Sequence, residues 1–151
     1  MGDKCALPSD LTSGMRYKTF LTRVMALLAG GAMPLAFAPV GWAWIAVMAL
    51  AALFVLVAQS SRRQALWSAY IFGLGYFGVG VSWVYISISQ YGNGPVVAVL
   101  ATTAFVSLLA LFPWGVAYLV RRLHPEIDAT ALWLGLPAAW VLSEWMRTWF
   151  L

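Results

Sequence analysis

Two long stretches without a charged residue constrain the fold of this chain more than any other feature. The first covers residues 24–61, a run of 38, and the second covers residues 64–120, a run of 57. A helix needs about 20 apolar residues to cross the roughly 30 Å hydrocarbon core of a bilayer. Each stretch is long enough for two crossings, so the chain is predicted to be a polytopic membrane protein.

The composition excludes a water-soluble domain. Hydrophobic residues make up 63% of the chain and charged residues 9%, whereas soluble domains contain about 25% charged residues. The low charge and the 15% of aromatic residues also exclude a disordered chain. Cys5 is the only cysteine, so no internal disulfide can form. We find no cofactor or metal pattern, and the dispersed basic residues do not predict nucleic-acid binding.

Proline and glycine mark where each apolar stretch divides. Residues 34–41 contain two prolines and a glycine, and residues 91–95 read Tyr-Gly-Asn-Gly-Pro. Both patterns end or turn a helix. They predict an all-α integral membrane bundle of about five transmembrane helices, in which the first is short and a partly re-entrant segment is an alternative. A tail at 1–19 precedes a transmembrane domain at 20–151, with spans at 20–37, 42–60, 64–89, 96–120 and 130–151.

The distribution of basic residues predicts the orientation. Eight of the nine Lys and Arg residues fall on one side of the five-span arrangement, and the positive-inside rule assigns that side, with the N-terminus, to the cytoplasm. The fifth span then ends at the outer face, so we expect the chain to be the N-terminal piece of a longer protein. The eight residues are Lys4, Arg16, Lys18, Arg23, Arg62, Arg63, Arg121 and Arg122.

A glycine-rich segment in the third predicted span favours close helix packing. Residues 73–78 fit the G-x-G-x-x-G pattern of dinucleotide sites, but they lack the preceding strand and the acidic residue about 20 positions later. Small residues on one helical face instead let a neighbouring helix approach closely in a membrane. We therefore predict that Gly75, Gly78 and Ser82 form a packing face.

Glu144 and Arg147 lie in the outward third of the fifth predicted span. Their i,i+3 spacing places both on one helical face, where they can pair. Ionisable side chains in a span are costly and usually face the bundle interior or a water-filled cavity. Two interpretations stay open: an ion pair that anchors the helix end, or a polar site that binds a lipid headgroup or orients a partner domain.

The loop before the fifth span carries the other polar candidates. His124 lacks a nearby carboxylate and nucleophile arranged as a catalytic set, so we interpret it as a solvated loop residue. Glu126 and Asp128 are predicted to be first-turn or cap acids of the fifth span. No catalytic constellation is present in the chain.

Three segments resemble one known family, the bacterial apolipoprotein N-acyltransferases. Residues 30–39, followed by Trp44, are similar to the first hairpin of that family. Residues 73–88 are similar to its third span, a glycine-rich helix that ends in Trp-Val-Tyr-x-Ser-Ile. Residues 137–149 are similar to its fifth span, with the pattern Glu-x-x-Arg-x-Trp. The resemblance covers residues 20–151 in order.

The resemblance implies a multi-pass enzyme of the bacterial cytoplasmic (inner) membrane that completes lipoprotein maturation. Its acyl donor would be a phospholipid, and its acceptor the N-terminal diacylglyceryl-cysteine of an apolipoprotein. The family joins an eight-span membrane domain to a periplasmic nitrilase-like domain, which carries a Glu-Lys-Cys triad and forms a thioester. No triad residue falls in this chain, so we expect no catalytic residue here and no activity from the chain alone. As lipid- or substrate-binding residues we predict Trp83, Tyr85, Glu144 and Arg147.

Two other functions remain as alternatives. The first is a small transporter or channel subunit, with Glu144 and Arg147 along a polar pathway. The second is a structural membrane subunit without chemistry. Transport predicts ionisable groups near the middle of the bilayer, and the first four predicted spans place none there.

Overall fold

The fold is helical throughout the residues that the structure, a computed structural model, describes: 9–37, 41–91 and 94–150. Cys5, Pro39, Gly92, Asn93 and Leu151 lie outside these ranges. Seven α-helices are present in the described ranges: α1 (Ser9–Ala32), α2 (Ala43–Gln59), α3 (Arg62–Gly80), α4 (Ser82–Gln90), α5 (Gly94–Leu109), α6 (Leu111–Leu123) and α7 (Leu136–Phe150). A 3-10 turn at Met33–Ala36 follows α1, and a π-helical turn at Ala131–Gly135 precedes α7.

The first helix begins earlier than the sequence predicts. Residues 9–19, which belong to the predicted tail, are helical and form the start of α1. At the other end, Pro34 occupies the first turn of the 3-10 segment, where its missing N–H costs least. Gly41 then adopts a positive φ of 68° before α2 begins, a conformation that glycine reaches without strain.

Two predicted spans are interrupted, the third by a bend and the fourth by a local break. The third span bends by 48° between α3 and α4, where Gly80 and Ser82 flank Val81, since glycine and serine weaken a helix at such a break. The fourth span breaks at Ala110, between α5 and α6. Pro113 causes this break because it has no N–H to donate and its ring crowds the carbonyl group of Leu109, four residues earlier.

The fifth predicted span starts with a wider helical turn. The N–H group of Leu136 donates to the carbonyl oxygen of Ala131, five residues earlier, and Pro137 next to it can donate to none. The helix recovers its ordinary geometry from Leu136 onward. Asp128 caps the start of this segment, because its Oδ1 accepts a hydrogen bond of 2.8 Å from the N–H group of Ala131. The predicted capping role of Asp128 is thus confirmed.

Length and composition alone allow two helical stretches to cross a membrane, Tyr17–Ala36 and Gly94–Leu123. The bent pair Arg62–Gly80 and Ser82–Gln90 makes a third if it forms one span, and Ala43–Gln59 is a shorter apolar helix. The structure therefore confirms apolar, membrane-type helices, and the count of five crossings stays a prediction.

The helical segments α1, α2, α3–α4, α5–α6 and α7 alternate in direction, which separates two ends of the bundle. Gln64 at the start of α3 donates a 3.1 Å hydrogen bond to Thr19 of α1, and Gly75 further along α3 lies against Leu27 further along α1. The two helices therefore run parallel. The ends of α2 and α6 meet at Arg121, beside the start of α3. The "basic end" of the bundle is the end that carries Arg23, Arg62, Arg63, Arg121 and Arg122. The ends of α3 and α7 meet at the opposite end.

Glycine allows α3 to touch its neighbours on both sides. A Cβ atom on Gly75 would lie 2.4 Å from the carbonyl oxygen of Leu27, and one on Gly30 would lie 2.0 Å from that of Phe72. On the other side of α3, a Cβ atom on Gly73 would lie 2.8 Å from the Cα atom of Ala110. These distances leave no room for a side chain, so the contacts of α3 with α1 and with the α5–α6 junction require glycine.

Of the predicted packing face, Gly75 lies against α1, whereas Gly78 and Ser82 are exposed among the described residues. Gly78 is exposed, and a Cβ atom there would meet nothing within 4 Å; Ser82 is exposed as well. Three residues along an α-helix turn the position of the side chain by about 300°, which is about 60° short of a full turn. Gly78 therefore lies about 60° around the helix from Gly75, outside the side of α3 that meets α1. Ser82 follows the bend at Val81 and no longer belongs to α3.

Arg121 is buried at the basic end, although the sequence places it in a polar flank. The residue is only 8% exposed, and its guanidinium donates to the carbonyl oxygens of Val57, Ala58 (3.2 Å) and Ser60 at the end of α2. A further contact of 3.4 Å reaches the carbonyl oxygen of Pro125. Arg121 therefore closes the end of α2 and holds it against α6.

Candidate functional site

The structure joins Glu144 and Arg147 in an ion pair on α7, as their spacing predicts. Both side chains are half-buried, with 34% of Glu144 and 27% of Arg147 exposed. The guanidinium carbon of Arg147 lies 5.4 Å from the centroid of the Phe77 ring on α3, a cation–π contact. The phenol group of Tyr76 interacts electrostatically with both charges, so the pair is held between α3 and α7.

An open groove lies beside this pair at the end of the bundle opposite the basic end. Its volume is about 350 Å³, within the range of about 300–1,000 Å³ that small-molecule sites occupy. Arg147 is the charged residue that lines it, and Arg147 Nε has no hydrogen-bond partner within the described part of the chain. We call it the Arg147 groove; its lining is Pro34, Phe37, Tyr76, Phe77, Gly80, Val81 and Arg147.

The local sequence explains why these side chains converge. Pro34 ends α1 and directs the 3-10 turn over the end of α3. Gly80 lacks a side chain, and a Cβ atom there would lie 3.7 Å from the ring of Pro34, so the turn can approach. The bend after Gly80 removes α4 from the same space. The groove thus forms where three chain segments separate around Arg147.

Trp83 and Tyr85 belong to a different surface. Both lie on α4, where they are 62% and 39% exposed, and α4 packs mainly on α5. Neither side chain is among those that line the Arg147 groove within the described residues. The predicted set of four therefore divides into the Glu144–Arg147 pair and two exposed aromatic rings on a neighbouring helix.

Sequence reasoning missed the partners of the ion pair. Tyr76 and Phe77 are buried on α3, and their rings lie 4.5 Å apart beside Arg147. The signal available in the sequence was the polar hydroxyl of Tyr76 within the uncharged stretch 64–120. Tyr76 and Phe77 lie about 70 positions before Arg147 in the sequence. A contact over such a separation cannot be predicted from local spacing.

The groove is suited to binding rather than to covalent catalysis. A guanidinium has five N–H donors in a planar fork and pairs well with phosphate and carboxylate oxygens. The neighbouring carboxylate keeps the site close to neutral, which lowers the cost of holding a cation among apolar groups. His124 lies at the basic end, after α6, so it cannot act at this groove.

The outer faces of the helices complete the class assignment. Large apolar side chains are exposed on every helix; on α5 they include Val96, Val97, Val99, Leu100 and Leu108. A water-soluble protein rarely exposes such continuous apolar surface. Together with the apolar helices described above, these faces define an all-helical membrane protein with a charged groove at one end.

Comparison with known proteins gives the family. The apolipoprotein N-acyltransferase N-terminal domain matches residues 29–151, and the chain belongs to this family. Curated apolipoprotein N-acyltransferases of Methylococcus capsulatus and Coxiella burnetii are each 42% identical to it, over 127 and 131 residues that make up 83% and 85% of the chain. That of Vibrio parahaemolyticus is 37% identical over 125 residues, 82% of the chain. The chain spans about a quarter of the length of these relatives, with 25%, 27% and 25% covered.

Proposed function

We propose that this chain is the membrane portion of an N-acyltransferase of the bacterial cytoplasmic membrane. In this proposal the whole enzyme moves an acyl chain from a phospholipid to the N-terminal diacylglyceryl-cysteine of an apolipoprotein. Family membership supports the type of reaction. The main observation in support of a binding role for this chain is the Arg147 guanidinium, which lines an otherwise apolar groove beside its Glu144 partner.

In this proposal the Arg147 groove binds the headgroup region of the acyl donor. A phospholipid presents a phosphate next to its ester groups, and Arg147 supplies the donors that a phosphate accepts. Glu144 positions the guanidinium, and the Phe77 ring supports it from the side. Trp83 and Tyr85 contribute separately: their exposed rings on α4 favour the boundary between lipid and water.

The orientation belongs to the same proposal. The basic end faces the cytoplasm, as the positive-inside rule predicts, and the Arg147 groove opens at the outer face. The bound donor would then lie next to a periplasmic catalytic domain. Cys5 lies at the opposite end of the predicted topology, so it does not serve as the nucleophile, and the 151-residue chain performs no acyl transfer by itself.

The transporter alternative has less support. A transport pathway needs polar groups through the middle of the membrane. The largest fully buried side chains of the described residues include Phe72, Leu53 and Leu136, and these form an apolar centre between the two charged ends.

Steady-state kinetics of the full-length enzyme test the role of Arg147. The acyl donor is varied at saturating diacylated lipopeptide, and then the lipopeptide at saturating donor. We expect Arg147→Gln to raise the donor KM about tenfold, the equivalent of about 1.4 kcal/mol of binding free energy, and to leave the lipopeptide KM unchanged. Arg122→Gln, which removes one exposed charge at the basic end, is the matched control.

Two results would reject the role. If the lipopeptide KM rises and the donor KM does not, the groove serves the acceptor. If Arg147→Gln lowers only the melting temperature and leaves both KM values unchanged, the pair anchors the helix end and binds no substrate.

A further inference from the structure

A second groove lies at the basic end, on the side of α3 away from α1. Its volume is about 390 Å³, slightly larger than that of the Arg147 groove. We call it the Arg63 groove; it lies between α3 and α6 and is lined by Arg63, Leu66, Trp67, Tyr70, Leu111 and Trp114. The four residues from α3 follow a spacing of i, i+3, i+4 and i+7, so they share one helical face.

The groove results from the way α3 and α6 cross. Gly73 of α3 meets Ala110, the residue directly before α6, and this contact closes the inner end of the groove. Toward the basic end, aromatic rings form its walls and hold each other in place. The Trp67 and Tyr70 rings meet edge to face at 6.2 Å, and the Trp114 ring stacks on Tyr118 at 5.3 Å.

Positive charge lies at the open end of the groove. Arg63 lines it, and the guanidinium carbon of Arg62 lies 5.8 Å from the centroid of the Tyr118 ring. The first turn of α3 has no acidic residue, and the Ser61 side chain does not cap it. Within the described residues, neither arginine is part of an ion pair. This end of the groove therefore attracts an anion, because the helix dipole and two guanidinium groups have the same sign there.

The groove changes from charged to apolar along its length. From Arg63 to Tyr70 the helix rises about 10 Å at roughly 1.5 Å per residue, and the walls beyond Arg63 are apolar or aromatic. A ligand that matches this gradient has an anionic head and a hydrocarbon tail. The surrounding exposed surface is also apolar, so the ligand can enter sideways from the membrane.

We propose that the Arg63 groove binds one anionic phospholipid from the leaflet at the basic end. The lipid phosphate lies at Arg63, and one acyl chain lies along Leu66, Tyr70 and Leu111. This lipid is distinct from the acyl donor of the proposed function, because Arg63 and Arg147 lie at opposite ends of the bundle. It links α3 to α6 beyond the Gly73–Ala110 contact and so stabilises the basic end.

Native mass spectrometry of the full-length protein tests this proposal. The detergent-solubilised protein is incubated with equal amounts of phosphatidylglycerol, which is anionic, and phosphatidylcholine, which is zwitterionic. We expect the protein to retain phosphatidylglycerol preferentially. Arg63→Gln should lower its occupancy about fivefold, the effect of one basic side chain on attraction to an anionic lipid, and should leave phosphatidylcholine unchanged.

Two further variants separate the headgroup from the acyl chain. Arg122→Gln removes a neighbouring exposed charge outside the groove and should leave the occupancy unchanged. Leu111→Trp places a larger ring in the groove, at a position where the leucine side chain is 48% exposed. This variant should lower the occupancy of the groove by both lipids. Circular dichroism verifies that each variant keeps its helix content, and Arg63→Gln alone still decides the test if Leu111→Trp fails to fold.

Several outcomes would overturn the proposal. If Arg63→Gln and Arg122→Gln lower the phosphatidylglycerol occupancy equally, the lipid is attracted by the charge of the whole basic end and not by a site in the groove. Displacement of phosphatidylglycerol by soluble glycerol phosphate at the same concentration would show that the acyl chain contributes nothing. A dimer that Leu111→Trp dissociates, with unchanged lipid occupancy, would assign the groove to a second copy of the chain.

Discussion

Arg121 extends its guanidinium across the end of α2, where the last turn of a helix leaves carbonyl oxygens without an amide partner. Three of these oxygens, on Val57, Ala58 and Ser60, accept its hydrogen bonds. A cation at this position is also attracted by the negative end of the helix dipole. No carboxylate is needed to hold the charge, because the carbonyl groups themselves carry the complementary partial charge.

We expect Arg121→Gln to destabilise the protein by about 2–3 kcal/mol, because it leaves the α2 carbonyl groups without a charged donor. Arg121→Lys should have an intermediate effect, since an ammonium keeps the charge but lacks the planar fork that reaches several oxygens. The measurement is the melting temperature in detergent. Arg122→Gln is the control: it is adjacent and exposed, and an equal loss of stability in this variant would contradict the capping role.

At the scale of helices, the contact between α1 and α3 depends on two glycines that lie against backbone atoms, Gly30 and Gly75. In a membrane, helices gain little from excluding water, so close packing supplies much of their association. A methyl group at either position meets a carbonyl oxygen of the neighbouring helix, which cannot move as a flexible side chain would.

Gly75→Ala should lower the stability by about 1–3 kcal/mol, the usual cost of overpacking. Gly78→Ala is the matched control three residues further along the same helix, and it should be tolerated because the space around Gly78 is open. The melting temperatures of the two variants give the comparison. Equal values would show that α1 and α3 can separate at Gly75 without loss, contrary to the packing described above.

The start of the last helical segment offers a second test at this scale. Asp128→Ala removes the acceptor for the Ala131 N–H group and should cost about 1 kcal/mol, as the loss of a helix N-cap usually does. Asp128→Asn keeps an oxygen at this position and should retain most of the stability. Glu126→Ala is the control, because Glu126 is also an exposed acid before the helix but is not the acceptor of the Ala131 N–H group. An equal loss of stability in Glu126→Ala and Asp128→Ala would show that negative charge near the helix start matters, and not the cap.

The helix ends were more predictable than the bends. Charge, glycine and proline marked the helix boundaries near Ser61, Tyr91 and Pro34. As a result, α2, α3 and α5 begin or end within a few residues of the predicted spans. The bend at Val81 and the break at Ala110 were missed, because an apolar run looks the same in sequence whether its helix is straight or interrupted. Pro113 was the available signal for the break.

At the scale of the whole molecule, the alternating helices separate two charged ends with an apolar centre between them. Arg62 and Arg63 mark one end, while Glu144 and Arg147 mark the other. The pairing of Glu144 with Arg147 was predictable, because it depends on i,i+3 spacing within one helix. The groove was not, because Tyr76 and Pro34 reach it through tertiary packing, and the bend after α3 separates Trp83 and Tyr85 from it.

The proposal that the basic end faces the cytoplasm and the Arg147 groove opens outward is tested most directly by cysteine accessibility. In the full-length protein, with Cys5 and every cysteine of the proposed periplasmic domain replaced by serine, a single cysteine is placed at Ser61, beside the basic end, or at Asn93, in the predicted outer loop. Intact cells are treated with a membrane-impermeant maleimide, and lysed cells give the total reactivity. We predict that Asn93→Cys is labelled in intact cells and Ser61→Cys only after lysis. Labelling of both positions in intact cells, or of Ser61→Cys alone, would contradict this orientation and the proposed position of the donor site.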